Sequence, residues 1–114
     1  YTDILVDFVV ALKYKDLPSC VIEQTKLFIA DYYAASIAGY RVNKQFNKVV
    51  MSIIKEDSGT EQASILFEKK KYPVTNAAFM NAVYAHGADM DDGNRKSAGH
   101  IGYLLFLRWV RSWG

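Results

Sequence analysis

With 114 residues, half of them apolar and 23% charged, the chain has one domain's mass and enough apolar side chains for a core. Fourteen basic against twelve acidic residues leave a net charge of +2, too even for the clustered basic face of a nucleic-acid binder. Two prolines and seven glycines exclude collagen-like and low-complexity chains, and no apolar run reaches the roughly 18 residues of a membrane span.

A single cysteine, Cys20, makes no internal disulfide, and with it a cytoplasmic location is expected. The chain begins at Tyr1 with no basic leader, so no signal peptide is expected and the start reads as trimmed.

The spacing of Leu5, Phe8, Val9 and Leu12 predicts a first helix from about Thr2 to Tyr14, with Thr2 as N-cap and Asp3 in its first turn. Asp16-Leu17-Pro18 breaks it, and Pro18 opens a second helix carrying Val21, Thr25, Phe28, Ile29, Tyr32 and Ile37. That helix is expected to run to about Ala38 and end on Gly39 as its C-cap. Its last turns are small (Ala34, Ala35, Ser36, Ala38, Gly39), which predicts close approach of another helix. Asn43 is placed to cap a third helix whose apolar face would be Phe46, Val49, Val50, Ile53 and Ile54.

Asp57-Ser58-Gly59 is a turn signal, and Ala63 to Phe67 read as extended. With Tyr72-Pro73-Val74 they predict a small hairpin, its tip carrying Glu68-Lys69-Lys70-Lys71 as a solvated charge run. Thr75 is placed to cap an alanine-rich fourth helix from Asn76 to about His86, closed by Gly87. Including a final apolar helix over residues 103–114, the expected fold is mainly α: a bundle of about five helices with a small β-hairpin.

After the fourth helix, Asp89, Asp91 and Asp92 fall within four positions, framed by the two histidines, His86 and His100. Such a glycine-interrupted loop of like charges invites four readings. An EF-hand opening at Asp89-Met90-Asp91 fails downstream, where His100 stands in place of a bidentate Glu. A transition-metal site from His86, Asp89, Asp91 and His100 has suitable ligand types but no compact ligand motif. Two carboxylates and a histidine at a helix end also suit general acid–base chemistry. Structurally, Asp89 or Asp92 would cap the next turn while His86 and His100 bond local groups.

Residues 81–92, Asn-Ala-Val-Tyr-Ala-His-Gly-Ala-Asp-Met-Asp-Asp, followed by Gly99-His100-Ile101-Gly102, resemble the signature of the MmgE/PrpD family. That signature runs Asn-Gly-x-x-x-His-x-x-Asp-(aromatic)-Asp-Asp, then His-Pro-(Gly/Ser). Phe8 to Pro18 resembles the family's opening helix, residues 28–35 its second helix, and residues 59–81 its hairpin and Ala-Ala-x-x-Asn helix.

The resemblance implies a cofactor-free enzyme with a helical domain and a smaller α/β domain, acting as a dehydratase, decarboxylase or epimerase on small polycarboxylates. It also implies that Asp89 and His100 are catalytic, moving protons on a 2-methylcitrate-like tricarboxylate, while His86, Asp91 and Asp92 bind substrate or support the loop. No metal is expected. The chain departs from the signature at Ile101, where a proline would fix the backbone after the histidine, and at Gly93 and Met90.

Residues 1–102 are thus read as an incomplete MmgE/PrpD-like helical domain, and 103–114 as an atypical end. Eight of residues 103–113 are apolar, and both tryptophans lie there. This end reads as an altered frame with an early stop, and a chain lacking the second domain is expected to be inactive alone. An exposed apolar helix face would instead favour a non-catalytic self-association module, and a homodimer or higher oligomer is expected.

Overall fold

The computed structural model describes residues 1–93 and 99–100. The expected helix over residues 103–114, with Ile101 and Gly102, lies outside the described residues. Within them, four α-helices and a two-stranded hairpin give the mainly helical fold that the periodicity predicts.

Helix α1 (Thr2–Ala11) stops before Tyr14, because Leu12 turns extended and Tyr14–Asp16 form a short 3-10 turn. Tyr1, not Thr2, holds the N-cap position. The main-chain N–H of Lys13 donates to the Asp16 carboxylate at 3.2 Å, closing that turn before Pro18. Helix α1 buries none of its side chains; Leu5, Phe8 and Val9 are all exposed.

Helix α2 (Ser19–Val42) passes through Gly39 rather than ending there. Glycine is tolerated inside the helix because the position is needed for contact, not for termination. Tyr32, Ala35, Ser36 and Gly39 are buried at spacings of three and four, one stripe that faces another helix. Of the other predicted apolar positions of this helix, Ile29 is partly buried beside Tyr32, while Val21, Phe28 and Ile37 stay exposed.

Asn43 alone joins α2 to α3 (Lys44–Glu56). The Asn47 side-chain amide donates to the carbonyls of Gly39 at 3.1 Å and Tyr40 at 3.3 Å, folding α3 back against the end of α2. The buried stripe of α3 is Asn47, Val50, Met51 and Ile54. Phe46, Val49 and Ile53, expected on the core face, point outward. A polar residue, Asn47, sets the helix's rotation by satisfying α2's last carbonyls.

Strands β1 (Ala63–Ser64) and β2 (Lys71–Tyr72) pair antiparallel, with Ala63 opposite Tyr72 and Ser64 opposite Lys71. The extended segment is shorter than the sequence suggests. Phe67 adopts φ 70°, in the left-handed region, and starts the reversal. At the tip, Lys70 pairs with Glu61 at 2.9 Å with both groups exposed, as a solvated charge run should.

Helix α4 (Val74–His86) starts at Pro73, one turn's edge earlier than Thr75, and ends on Gly87. It is the centre of the fold. Ala77, Met80, Asn81, Tyr84 and Ala85 are each at most 1% exposed and pack against α2, α3 and the hairpin. The alanines let the neighbours close in, as the composition of this helix suggests. No helix among the described residues is long and apolar enough to cross a membrane.

Candidate acid–base site

Two anchors fix the C-terminal end of α4. Gly39 of α2 lies against it so closely that a Cβ there would collide with the Tyr84 carbonyl oxygen. Gly87 is in ordinary right-handed conformation, so its lack of a side chain serves approach rather than a left-handed cap. The Asn43 side-chain amide donates to the Gly87 carbonyl.

The chain then turns through an Asp89 N–H to His86 carbonyl hydrogen bond of 3.0 Å. Asp89 itself takes φ 51°, a left-handed conformation that aspartate adopts more readily than most residues. That turn sends Asp91 back over the helix end.

The Asp91 side chain is 3% exposed and lies between the two histidines. His86 Nδ1 is 3.0 Å from its Oδ1, and His100 Nδ1 is 3.3 Å from its Oδ2. The first contact is a hydrogen bond; the second is out of line for one, leaving a buried ring nitrogen beside the carboxylate. The imidazoles meet edge to face, with centroids 4.9 Å apart.

One ligand-capable atom from each of His86, Asp89 and His100 lies within 4.8 Å of the other two. His86 and Asp89 are exposed, and His100 is half-buried. The structure therefore brings together four of the five residues singled out in the sequence: His86, Asp89, Asp91 and His100. Asp92, next to Asp91 in the chain, is half-buried. Chemically, the cluster offers two imidazoles and a carboxylate at a surface, with their geometry set by a second, buried carboxylate.

Residues 3–105 match the model of the MmgE/PrpD N-terminal domain. The chain belongs to the MmgE/PrpD family. Neither the curated proteins nor the solved structures gave a match.

Sequence reasoning missed two positions that hold the family's signature segment in place. Asn43, expected from the sequence only as a helix cap, reaches with its side chain to Gly87, 44 residues on. Asn81, part of the signature, is fully buried and faces away from the cluster toward the hairpin: it accepts from Leu66 N–H at 2.8 Å and donates to the Ser64 carbonyl at 3.0 Å. A polar residue amid the alanine-rich stripe was the available signal, since a buried amide requires fixed partners.

Proposed function

We propose that this chain carries the proton-transfer residues of a cofactor-free dehydration acting on a branched, 2-methylcitrate-like tricarboxylate. The observation that supports this most is the Asp91 carboxylate set between His86 and His100, with Asp89 at the same mouth. Membership of the MmgE/PrpD family supports the reaction class.

In this reading Asp89 and His100 are the catalytic pair. One removes the proton on the carbon next to a carboxylate, and the other protonates the departing β-hydroxyl. The C–H electron pair becomes the new carbon–carbon double bond as the C–O bond breaks and water leaves. Asp91 orients the His86 imidazole and lies beside that of His100, His86 and Asp92 support the loop or contact substrate, and no cofactor takes part. A carbon acid is weak, so its base must be positioned, shielded from water and helped by a cation that holds the developing charge. His86 and Asp89 are open to water here, which supports the reading that the chain alone does not turn substrate over.

The test is a titration with 2-methylcitrate, following the imidazole resonances of both histidines by NMR alongside the ultraviolet absorbance of the alkene product. Shifts in both rings without product formation are expected. Unmoved resonances overturn the site, and sustained product formation overturns the inactivity.

A second reading, a non-catalytic self-association module forming a homodimer or larger assembly, is favoured by the apolar and uncovered surface of α1. It differs in one outcome: association would persist when Asp89 and His100 are both replaced.

A further inference from the structure

We infer that His86, Asp89 and His100 form a binding site for one divalent transition-metal ion such as Zn²⁺ or Co²⁺, with Asp91 as the group that orients the His86 imidazole. Sequence spacing alone contains no compact ligand motif, since His86 and His100 are 14 positions apart. The fold removes that separation. It brings one donor atom from each of the three residues within 4.8 Å of the others.

Donors around a tetrahedral zinc stand about 3.3 Å apart, given bonds of roughly 2.0–2.1 Å, so closing the triangle takes only small side-chain rotations. Asp89 is exposed and His100 Nδ1 has no hydrogen bond holding its ring, so these two can move toward His86, whose ring Asp91 holds through Nδ1.

The chemistry of the set selects the ion. Two neutral imidazoles and one carboxylate suit zinc, cobalt and iron(II), whereas calcium and magnesium call for oxygen donors throughout. Asp91 completes the pattern found around metal-bound histidines, in which a carboxylate on one ring nitrogen directs the other toward the ion. It bonds His86 Nδ1 at 3.0 Å and lies 3.3 Å from His100 Nδ1, and its side chain is buried. Three protein donors at an exposed mouth leave a coordination position for water or a ligand carboxylate.

Binding rests on the cluster alone. That a bound ion would withdraw Asp89 and His100 from proton transfer rests on the dehydratase reading above. The two are separable by experiment. The chain is titrated with Zn²⁺ by calorimetry, and with Co²⁺ while its visible absorption and the histidine NMR resonances are recorded.

One equivalent of metal is expected, with cobalt shifting both imidazoles. His86→Gln and Asp89→Asn should each weaken zinc binding at least tenfold, and Asp91→Asn by about 10- to 100-fold with the stoichiometry unchanged. His86 lies on the surface, so its replacement leaves the core intact, and the cobalt-shifted spectrum of the unmodified chain needs no variant at all. Absence of saturable binding, unshifted imidazoles, or unchanged affinity in His86→Gln overturns the site. A chain that binds zinc and ignores 2-methylcitrate keeps the metal site and loses the dehydratase reading; the opposite result does the reverse.

Discussion

Gly39 and Gly87 meet backbone to backbone: a Cβ on Gly39 would stand 3.1 Å from the Gly87 Cα, and one on Gly87 would stand 3.2 Å from the Gly39 Cα. This contact sets how deeply α2 seats against the end of α4, and so where the turn bearing His86, Asp89 and Asp91 begins. The nearest atom to a new side chain at Gly39 is the backbone oxygen of Tyr84, which cannot swing aside. Gly39→Ala should therefore destabilise by about 3 kcal/mol, the upper part of the range for overpacking, read from denaturant unfolding. A change below about 0.5 kcal/mol, the range of an ordinary surface substitution, would show that the helices separate freely at this point.

Asn81 ties α4 to the hairpin through two hydrogen bonds, and it is completely buried. Asn81→Ala leaves the Leu66 N–H and the Ser64 carbonyl without their partner in the interior. The expected loss is about 3 kcal/mol, because each buried group left unsatisfied costs roughly 1–3 kcal/mol. Asn81→Asp should also destabilise, since it keeps an acceptor for Leu66 but sets an oxygen against the Ser64 carbonyl. Thermal melts of both variants near those of the parent chain would contradict this role.

Burial pushes the phenols of Tyr32 and Tyr84 up to about 12, from an ordinary 10.0. For Tyr32 the neighbouring Ser36 side chain offsets part of this, and for Tyr84 the Glu68 carboxylate adds to it. The neutral phenol is thus favoured in the fold. Its contribution is whole below the unfolded value near 10 and is lost as pH rises through the folded value near 12. Melting temperature should fall steeply across that window. Tyr84→Phe, which keeps the ring and removes the titrating group, should flatten the fall; an identical alkaline profile in the variant would assign the loss elsewhere.

Leu5, Phe8 and Val9 are between 60% and 67% exposed on a helix that buries nothing. Apolar faces of this kind drive association in water. Light scattering at micromolar concentration should report a dimer or larger species, and the double variant Leu5→Asp with Phe8→Asp should shift it toward monomer. A monomeric parent chain removes the self-association reading.

The helices were legible in the residues because their signals are local. Asp16-Leu17-Pro18 stops one helix and starts the next, Asp57-Ser58-Gly59 ends α3, and the alanines of α4 announce close neighbours. Asp57 acts within its own turn, accepting from the Gly59 N–H at 3.1 Å, which is why the sequence shows it. His86, Asp89, Asp91 and His100 were legible as a group because those residue types are rare together and resemble a known signature.

What the sequence left open depends on partners far along the chain. Whether Gly39 ends a helix or lies inside one is decided by Tyr84 and Gly87, which no window around Gly39 contains. Which stripe of α3 turns inward is decided by Asn47 reaching the carbonyls at the end of α2, so Val50, Met51 and Ile54 are buried while Phe46, Val49 and Ile53 face out. Apolar periodicity alone fits both rotations. The separate roles of the three aspartates were equally undetermined by type. Only the turn after α4 buries Asp91 between two imidazoles and leaves Asp89 at the surface beside them, because side-chain environment is a property of the folded chain and not of the residue.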